Sequence, residues 1–304
     1  MPLEMLENVV LAPYTTFKVG GPARWFCAPR SREEFAEALE FSRTQGVPYF
    51  LLGKGSNLVV SDQGHPGLVV YTGEFNKICW ENDGEVGGGS TRVTAQCGAL
   101  LWDVVTQSVE RGLRGMQNMA GIPGTLGGGT YINAGAFDQE LKDVVTEVTS
   151  MNGAGALVTR SNAECQFGYR RSRFCEFPEW ILETTMELQF DGNVEALHAE
   201  MEATVARRVA RQPLHLPNAG SMFKRPPGNY AGALIEAAGL KGFEMGRVGI
   251  SDKHANFTVN LGGATAQEIR DLTSEVILRV HAQSGITLER EPIFVGAFLP
   301  WPRA

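Results

Sequence analysis

The sequence predicts an α+β chain of three domains. A strand, helix, strand unit lies near the start, the middle is dominated by short strand-like segments, and the last third sets two amphipathic helices around short strands. At 304 residues the chain is longer than one hydrophobic core usually serves. The expected divisions are 1–72, 73–191 and 192–289, with 290–304 returning to the first domain.

The first unit opens with a strand over Trp25 to Ala28. Ser31 with Glu34 reads as a capping box for a helix through Phe35, Leu39 and Ser42, and Tyr49 to Leu52 follows as a strand. The β-branched runs Leu58 to Val60 and Leu68 to Tyr71 suit strands buried on both faces. Strand-like segments recur at Arg92 to Ala95, Val144 to Met151, Ala156 to Thr159 and Trp180 to Gln189, around one helical stretch near Ala99 to Arg111. In the last third, Val194, Leu197, Met201 and Val205 form one helical stripe. Thr265 with Glu268 caps a second, with Ile269, Leu272, Val276 and Val280 on its apolar face. Ile293 to Phe298 is a late strand free to pair with an earlier one.

A net charge of −7 argues against broad phosphate-backbone binding, so nucleic acid is not an expected partner, although a local basic pocket for one anionic ligand is compatible with it. Cys27, Cys79, Cys97, Cys165 and Cys175 form no CxxC pair and have no neighbouring histidines, so neither a metal site nor a disulfide framework is expected. Free thiols, an acidic N-terminus without the pattern of a leader, and no apolar run of membrane-spanning length lead to the expectation of a cytoplasmic protein.

Three loops carry chemistry. Leu51 to Asn57 follows a strand directly; Gly53, Lys54 and Gly55 allow backbone N–H groups to turn toward an anion, and Ser56 and Asn57 add side-chain donors. It is neither a Walker A loop nor GxGxxG, and a plain turn would give the same pattern. The second loop, Ala120 to Gly129, holds five glycines and a proline, which would let a planar cofactor or a pyrophosphate lie against the main chain. Two such cradles suggest a dinucleotide. In the third, Pro217 to Pro226, Ser221 and Lys224 sit in a turn bounded by Pro and Gly, with a helix expected beyond; a reaction site and a merely capping serine are both compatible with it.

Seven ordered blocks carry a resemblance over nearly the whole chain: Thr15 to Ala23, Gly53 to Asn57, Gly121 to Gly127, Phe167 to Ser172, Asn218 to Lys224, Lys253 to Phe257 and Leu288 to Glu291. The chain resembles the UDP-N-acetylenolpyruvoylglucosamine reductases of peptidoglycan precursor synthesis. The short interval from Phe167 to Trp180 is similar to the family's type II branch. The resemblance implies a three-domain flavoprotein, two FAD-binding domains of the vanillyl-alcohol-oxidase type and an α/β substrate domain. It implies noncovalent FAD held by Gly53, Lys54, Gly55, Ser56 and Asn57 together with Gly121, Ile122, Pro123, Gly124, Thr125 and Gly127. NADPH is the implied reductant and UDP-N-acetylglucosamine enolpyruvate the substrate.

The resemblance also implies three catalytic residues. Arg170 offers a planar fork of donors to the substrate carboxylate, Glu291 in its protonated form donates to the developing enolate, and Ser221 protonates the α-carbon. Lys224, Arg225, Arg211 and Tyr169 are the expected substrate contacts. Tyr131 and Asn133 are further candidates at the flavin, with sheet-edge packing as their alternative. Arg225 and Pro292 depart from residues common in relatives, which bears on fine substrate contacts. His254 reads as structural, and Ser221 lacks the GxSxG elbow of a hydrolase. Another FAD oxidoreductase that passes electrons to oxygen and a noncatalytic sugar-nucleotide binder stand as alternatives; a monomer is expected.

Overall fold

The computed structural model describes residues 3–81, 89–177 and 179–301. Parts of two expected segments, 82–88 with 178 in the middle domain and 302–304 in the last strand, lie outside the described residues. In chain order the elements are β1 (Leu6–Val10), β2 (Pro22–Cys27), α1 (Arg32–Gln45), β3 (Tyr49–Leu52), β4 (Leu58–Val60), β5 (His65–Tyr71), β6 (Ile78–Trp80), β7 (Ser90–Gln96) and α2 (Leu101–Glu110). Then come β8 (Leu113–Arg114), α3 (Leu126–Tyr131), β9 (Gly135–Ala136), β10 (Gln139–Glu140), β11 (Val145–Met151), β12 (Leu157–Ser161), β13 (Trp180–Phe190) and α4 (Val194–Arg211). The last are α5 (Ala231–Ala237), β14 (Glu244–Met245), β15 (Val248–Ile250), β16 (Thr258–Asn260), α6 (Ala266–Ser284) and β17 (Ile293–Val295).

The chain condenses into two compact units. The larger contains the chain up to Met5, Cys27–Lys54 and Val70–Arg208; the smaller contains Leu6–Phe26, Gly55–Val69 and the chain from Val209 onward.

The larger unit is built on an antiparallel sheet in the order β12-β11-β13-β7-β6, with β8 also paired to β13. The eleven-residue β13 is its spine: Trp180, Leu182, Thr184, Met186 and Leu188 are buried at a period of two, and Ile181 and Thr185 between them are buried as well, so the first half of the strand is covered on both sides. Helix α1 starts at Ser31, whose Oγ accepts from Glu34 N at 3.2 Å, and ends at Gly46 in the left-handed region. Helix α3 is at odds with propensity, since LGGGTY is a poor helix former. Packing explains it. A Cβ at Gly127 would stand 2.6 Å from Cys97 Cβ, and one at Gly129 would stand 2.9 Å from Leu141 Cδ1, so only glycine lets this helix approach so closely.

The smaller unit gathers one core from distant segments: Phe17, Val19 and Val59 pack with Ala219, Met222, Phe223, Ile235, Val248, Ile250, Ile269, Leu272, Val276, Val280 and Leu288. Helix α6 supplies the apolar stripe expected of it, and its capping box is reciprocal, Thr265 Oγ1 accepting from Glu268 N at 3.1 Å and Glu268 Oε2 from Thr265 N at 2.7 Å. The late strand β17 pairs parallel with β4, Ile293 opposite Leu58 and Val295 opposite Val60. Ser61 seals that pairing: its Oγ donates to Ala297 O at 2.6 Å and its N–H to Val295 O at 2.8 Å.

Candidate active site

Within the larger unit the two glycine loops meet. A Cβ on Gly53 would fall 2.5 Å from Thr125 Oγ1, so the first loop can lie against the second only because residue 53 has no side chain. Thr125 caps α3, its Oγ1 accepting from Gly128 N at 3.4 Å. Gly121 and Gly124 have φ of 75° and 143°, backbone that disfavours any side chain. Ile122 is half-buried and Pro123 exposed, whereas Gly127 is buried with its N–H on Cys97 O at 2.9 Å. Gly127 is thus explained by packing alone. Gly53→Ala is expected to force Thr125 off its cap, costing about 1 kcal/mol, and to make the protein release FAD more readily; thermal melting and flavin fluorescence on dilution check both.

Gly55, Ser56 and Asn57 belong to the smaller unit. Gly55 has φ 62°, and its O accepts from Thr16 N at 3.3 Å. Among the described residues the N–H groups of Lys54, Gly55 and Asn57 have no protein acceptor. A Cβ at Gly55 would stand 2.4 Å from Tyr14 O, so the loop is pinned where those donors remain available. Free main-chain donors on glycine loops fit the anionic and carbonyl-rich edges of a dinucleotide.

Tyr169 and Arg170 form the tip of a tight turn closed by Gly168 N to Arg171 O at 3.0 Å and Arg171 N to Gly168 O at 3.2 Å. Arg170 sits at φ 54°, a left-handed conformation that costs a non-glycine residue about 1–2 kcal/mol. Its Nη2 donates to Gly135 O at 3.2 Å, and its Cζ lies 5.2 Å from the Tyr169 ring centroid. Asn133 fixes this turn: fully buried, it donates from Nδ2 to Gly168 O at 3.0 Å and to Glu140 Oε2 at 3.1 Å, and accepts from Lys142 N at 2.9 Å. Asn133→Ala leaves buried groups unpaired and is expected to destabilise by about 2–4 kcal/mol, read as a lower denaturant midpoint. Tyr131 O accepts from Ser172 Oγ at 2.6 Å, on the far side of the same turn.

In the smaller unit the segments that carry Ser221 and Glu291 pair through their backbones. Glu291 N donates to Met222 O and Lys224 N to Glu289 O, both at 2.9 Å, an antiparallel pairing that sets the LERE segment beside the serine segment. Asn256 clamps the same stretch from the other side, accepting from Phe223 N at 3.0 Å and donating to Phe223 O at 2.9 Å. Ala219, Met222 and Phe223 are buried, so Ser221 stands half-buried on an anchored backbone. Among the described residues nothing bonds its hydroxyl. Before it, Gly220 turns at φ 76°, and Asn218 O accepts from Thr16 Oγ1 at 2.7 Å.

Lys224 is paired with Glu289, Arg225 lies 4.1 Å over the Tyr230 ring, and Arg211 ends α4 exposed. His254 Nδ1 accepts from Asn256 N at 3.1 Å, and burial holds its pKa below the ordinary imidazole value, which makes it a neutral structural residue. Burial pushes the Cys27 and Cys97 thiols up to about 12, so neither is a nucleophile. Among the described residues no cluster of His, Cys, Asp or Glu could hold a metal, and no helix is long and apolar enough to cross a membrane.

Residues 23–161 match the FAD binding domain family, which with the relatives below makes the chain an FAD oxidoreductase by class. Residues 212–295 match the family described as UDP-N-acetylenolpyruvoylglucosamine reductase, C-terminal domain. The chain belongs to the UDP-N-acetylenolpyruvoylglucosamine reductase family. It is 41% identical over 291 residues to the reductase of that name from Moorella thermoacetica, covering 96% of this chain and 93% of the relative. It is 37% identical over 298 residues to that from Caldicellulosiruptor saccharolyticus, covering 97% and 93%. The crystal structure of the reductase from Thermus caldophilus superposes with a TM-score of 0.80 at 33% identity, over 97% of this chain and 100% of that one. The resemblance of the seven motif blocks, the α+β class and the FAD-binding domain are all borne out by these matches.

Proposed function

We propose that this chain reduces UDP-N-acetylglucosamine enolpyruvate to UDP-N-acetylmuramate with electrons from NADPH, through the three residues Arg170, Ser221 and Glu291. Family membership supports the reaction, and the pairing of the Ser221 and Glu291 segments, Glu291 N to Met222 O at 2.9 Å, carries the assignment of roles. Gly53 to Asn57 and Gly121 to Thr125 hold FAD. When bound, FAD supplies a hydride, drawn from NADPH, to the vinyl carbon of the enolpyruvyl ether.

The residues do the rest. The vinyl carbon accepts hydride only if negative charge can spread into the neighbouring carboxylate, and the Arg170 fork is suited to holding that carboxylate. Glu291, protonated, donates to the same enolate. Ser221 then gives its proton to the α-carbon; a hydroxyl is a weak acid, but an enolate is basic enough to take its proton without a partner base. A serine with no hydrogen-bond acceptor on its hydroxyl suits that role better than a triad. Lys224, Arg225, Arg211 and Tyr169 are proposed to meet the sugar nucleotide, with Lys224 exchanging Glu289 for a phosphate oxygen. The three-domain division at 72 and 191, a monomeric state, a cytoplasmic location and the absence of nucleic-acid or membrane partners belong to the same reading.

Anaerobic stopped-flow tests it. Protein reduced with one equivalent of NADPH and mixed with the enolpyruvyl substrate is expected to regain its flavin absorbance rapidly and form UDP-N-acetylmuramate. A flavin that stays reduced until oxygen enters would identify an oxidase, and a protein without flavin would identify a sugar-nucleotide binder.

A further inference from the structure

Among the described residues seven other than glycine have positive φ, and five of them lie in two stretches: Asn133, Phe137 and Asp138 in one, Gln166 and Arg170 in the other. The two stretches form one assembly, because Asn133 Nδ2 donates to Gly168 O at 3.0 Å and Arg170 Nη2 donates to Gly135 O at 3.2 Å. Left-handed backbone gathered in this way is stored strain, which persists only where surrounding contacts enforce it. Asn and Asp adopt that region readily; Phe137, at φ 52°, is the outlier.

Phe137 and Asp138 are the central residues of the turn that joins β9 to β10, Ala136 being paired with Gln139. Both have positive φ, a pattern for which Asn-Gly is the ordinary sequence. A hairpin with two residues in each strand does not stand by itself. Side chains tie this one down. Gln139 Nε2 donates to Gly115 O at 2.6 Å, Glu140 Oε2 accepts from Asn133 Nδ2 at 3.1 Å, and the Phe137 ring lies under Arg207, whose Cζ is 4.2 Å from its centroid. Arg207 is fixed in turn to its own helix α4, Nη2 donating to Thr204 Oγ1 at 3.1 Å, while Thr204 Oγ1 donates to Glu200 O at 2.9 Å. A turn chosen for its backbone would carry Asn at 137. An aromatic ring supplies what asparagine cannot, a face for a cation.

We infer that the Phe137–Arg207 stack is a latch that positions Arg170. Helix α4 holds the hairpin tip, the hairpin holds Gly135 O, and Gly135 O sets the aim of the Arg170 guanidinium. Phe137 and Arg207 are thus positioning residues, and the latch rests on the carboxylate-holding role proposed for Arg170 above. A displaced fork loses the alignment that hydride transfer needs; misplacement by about 1 Å is worth up to about 100-fold in rate, and a hairpin loosened at its tip is expected to cost roughly 10-fold.

The test uses the full-length holoprotein with Phe137→Asn, Arg207→Met, the two combined, and Phe137→Asn beside Arg170→Lys. Anaerobic stopped-flow reads flavin reoxidation at saturating enolpyruvyl substrate, and thermal melting reads stability. Phe137→Asn is expected to slow reoxidation roughly 10-fold while the melting temperature stays level or rises, because asparagine relieves the turn. Arg207→Met is expected to slow it by a similar factor, and the combined variant no further. Beside Arg170→Lys, where the fork is already lost, Phe137→Asn is expected to cost less than about 3-fold, the non-additivity of residues that act through one another. A rate loss that tracks a fall in melting temperature, an Arg207→Met protein with the wild-type rate, or a Phe137→Asn penalty undiminished beside Arg170→Lys overturns the latch while leaving the role of Arg170 intact. An Arg170→Lys protein with wild-type turnover overturns both.

Discussion

Ser221→Ala is expected to reduce its flavin with NADPH at the wild-type rate and then to slow in sugar reduction by roughly 10²–10⁴-fold, the range for a lost general acid. The substitution removes one oxygen that nothing else in the described structure uses, on a backbone held by Ala219, Met222 and Phe223 and clamped by Asn256. Its effect therefore falls on proton delivery and spares the fold. Anaerobic stopped-flow separates the halves: bleaching of the flavin band on mixing with NADPH reports the first, and its return on mixing with the enolpyruvyl substrate reports the second. Equal slowing of the two would remove Ser221 from the chemistry and return it to the role of a turn residue.

Arg170→Lys is expected to lose roughly 10²–10³-fold in turnover, comparable with removal of one oxyanion donor. Lysine keeps the positive charge but presents a point donor in place of a fork, so it cannot grip both carboxylate oxygens. Both side chains meet the same left-handed cost at φ 54°, and Asn133 still holds the turn through Gly168 O, so thermal stability should be nearly unchanged. Near-normal turnover would show that Arg170 serves only the structure of its turn.

Most elements were legible because their signals are local. The box at Thr265, the stripe of α6 and the β-branched strands all appear where periodicity and capping put them, whereas at Ser31 only half of the expected box forms, Glu34 Oε2 accepting from Arg30 N. What escaped depends on contacts far along the chain. The grouping of Gly55–Val69 with the C-terminal third follows from the pairing of β4 with β17, which leaves no mark in either short segment. Helix α3 escaped because three consecutive glycines argue against a helix, and it is contacts with Cys97, Leu141 and Leu101 that call for glycine at 127 and 129. In α4 the apolar reading put Val205 on the buried stripe; the structure buries Thr204 and Arg208 instead, a threonine bonded to Glu200 O and a cation that no hydropathy pattern would place inside. Asn133 was noticed for its place near the flavin loop, whereas its three bonds make it the support of the Arg170 turn.

The pairing of β4 with β17 also sets an order of events during synthesis. Leu58–Val60 leaves the ribosome long before Ile293–Val295 exists, and Phe17 and Val59 wait for the same partners, because their core neighbours lie beyond residue 218. At bacterial elongation rates that interval is on the order of ten to forty seconds. Throughout it, β4 has no partner strand, although β1, β2, β5 and β3 can already pair with one another. The smaller unit therefore closes its core only after residues near 295 have been made, however early its first segments appear.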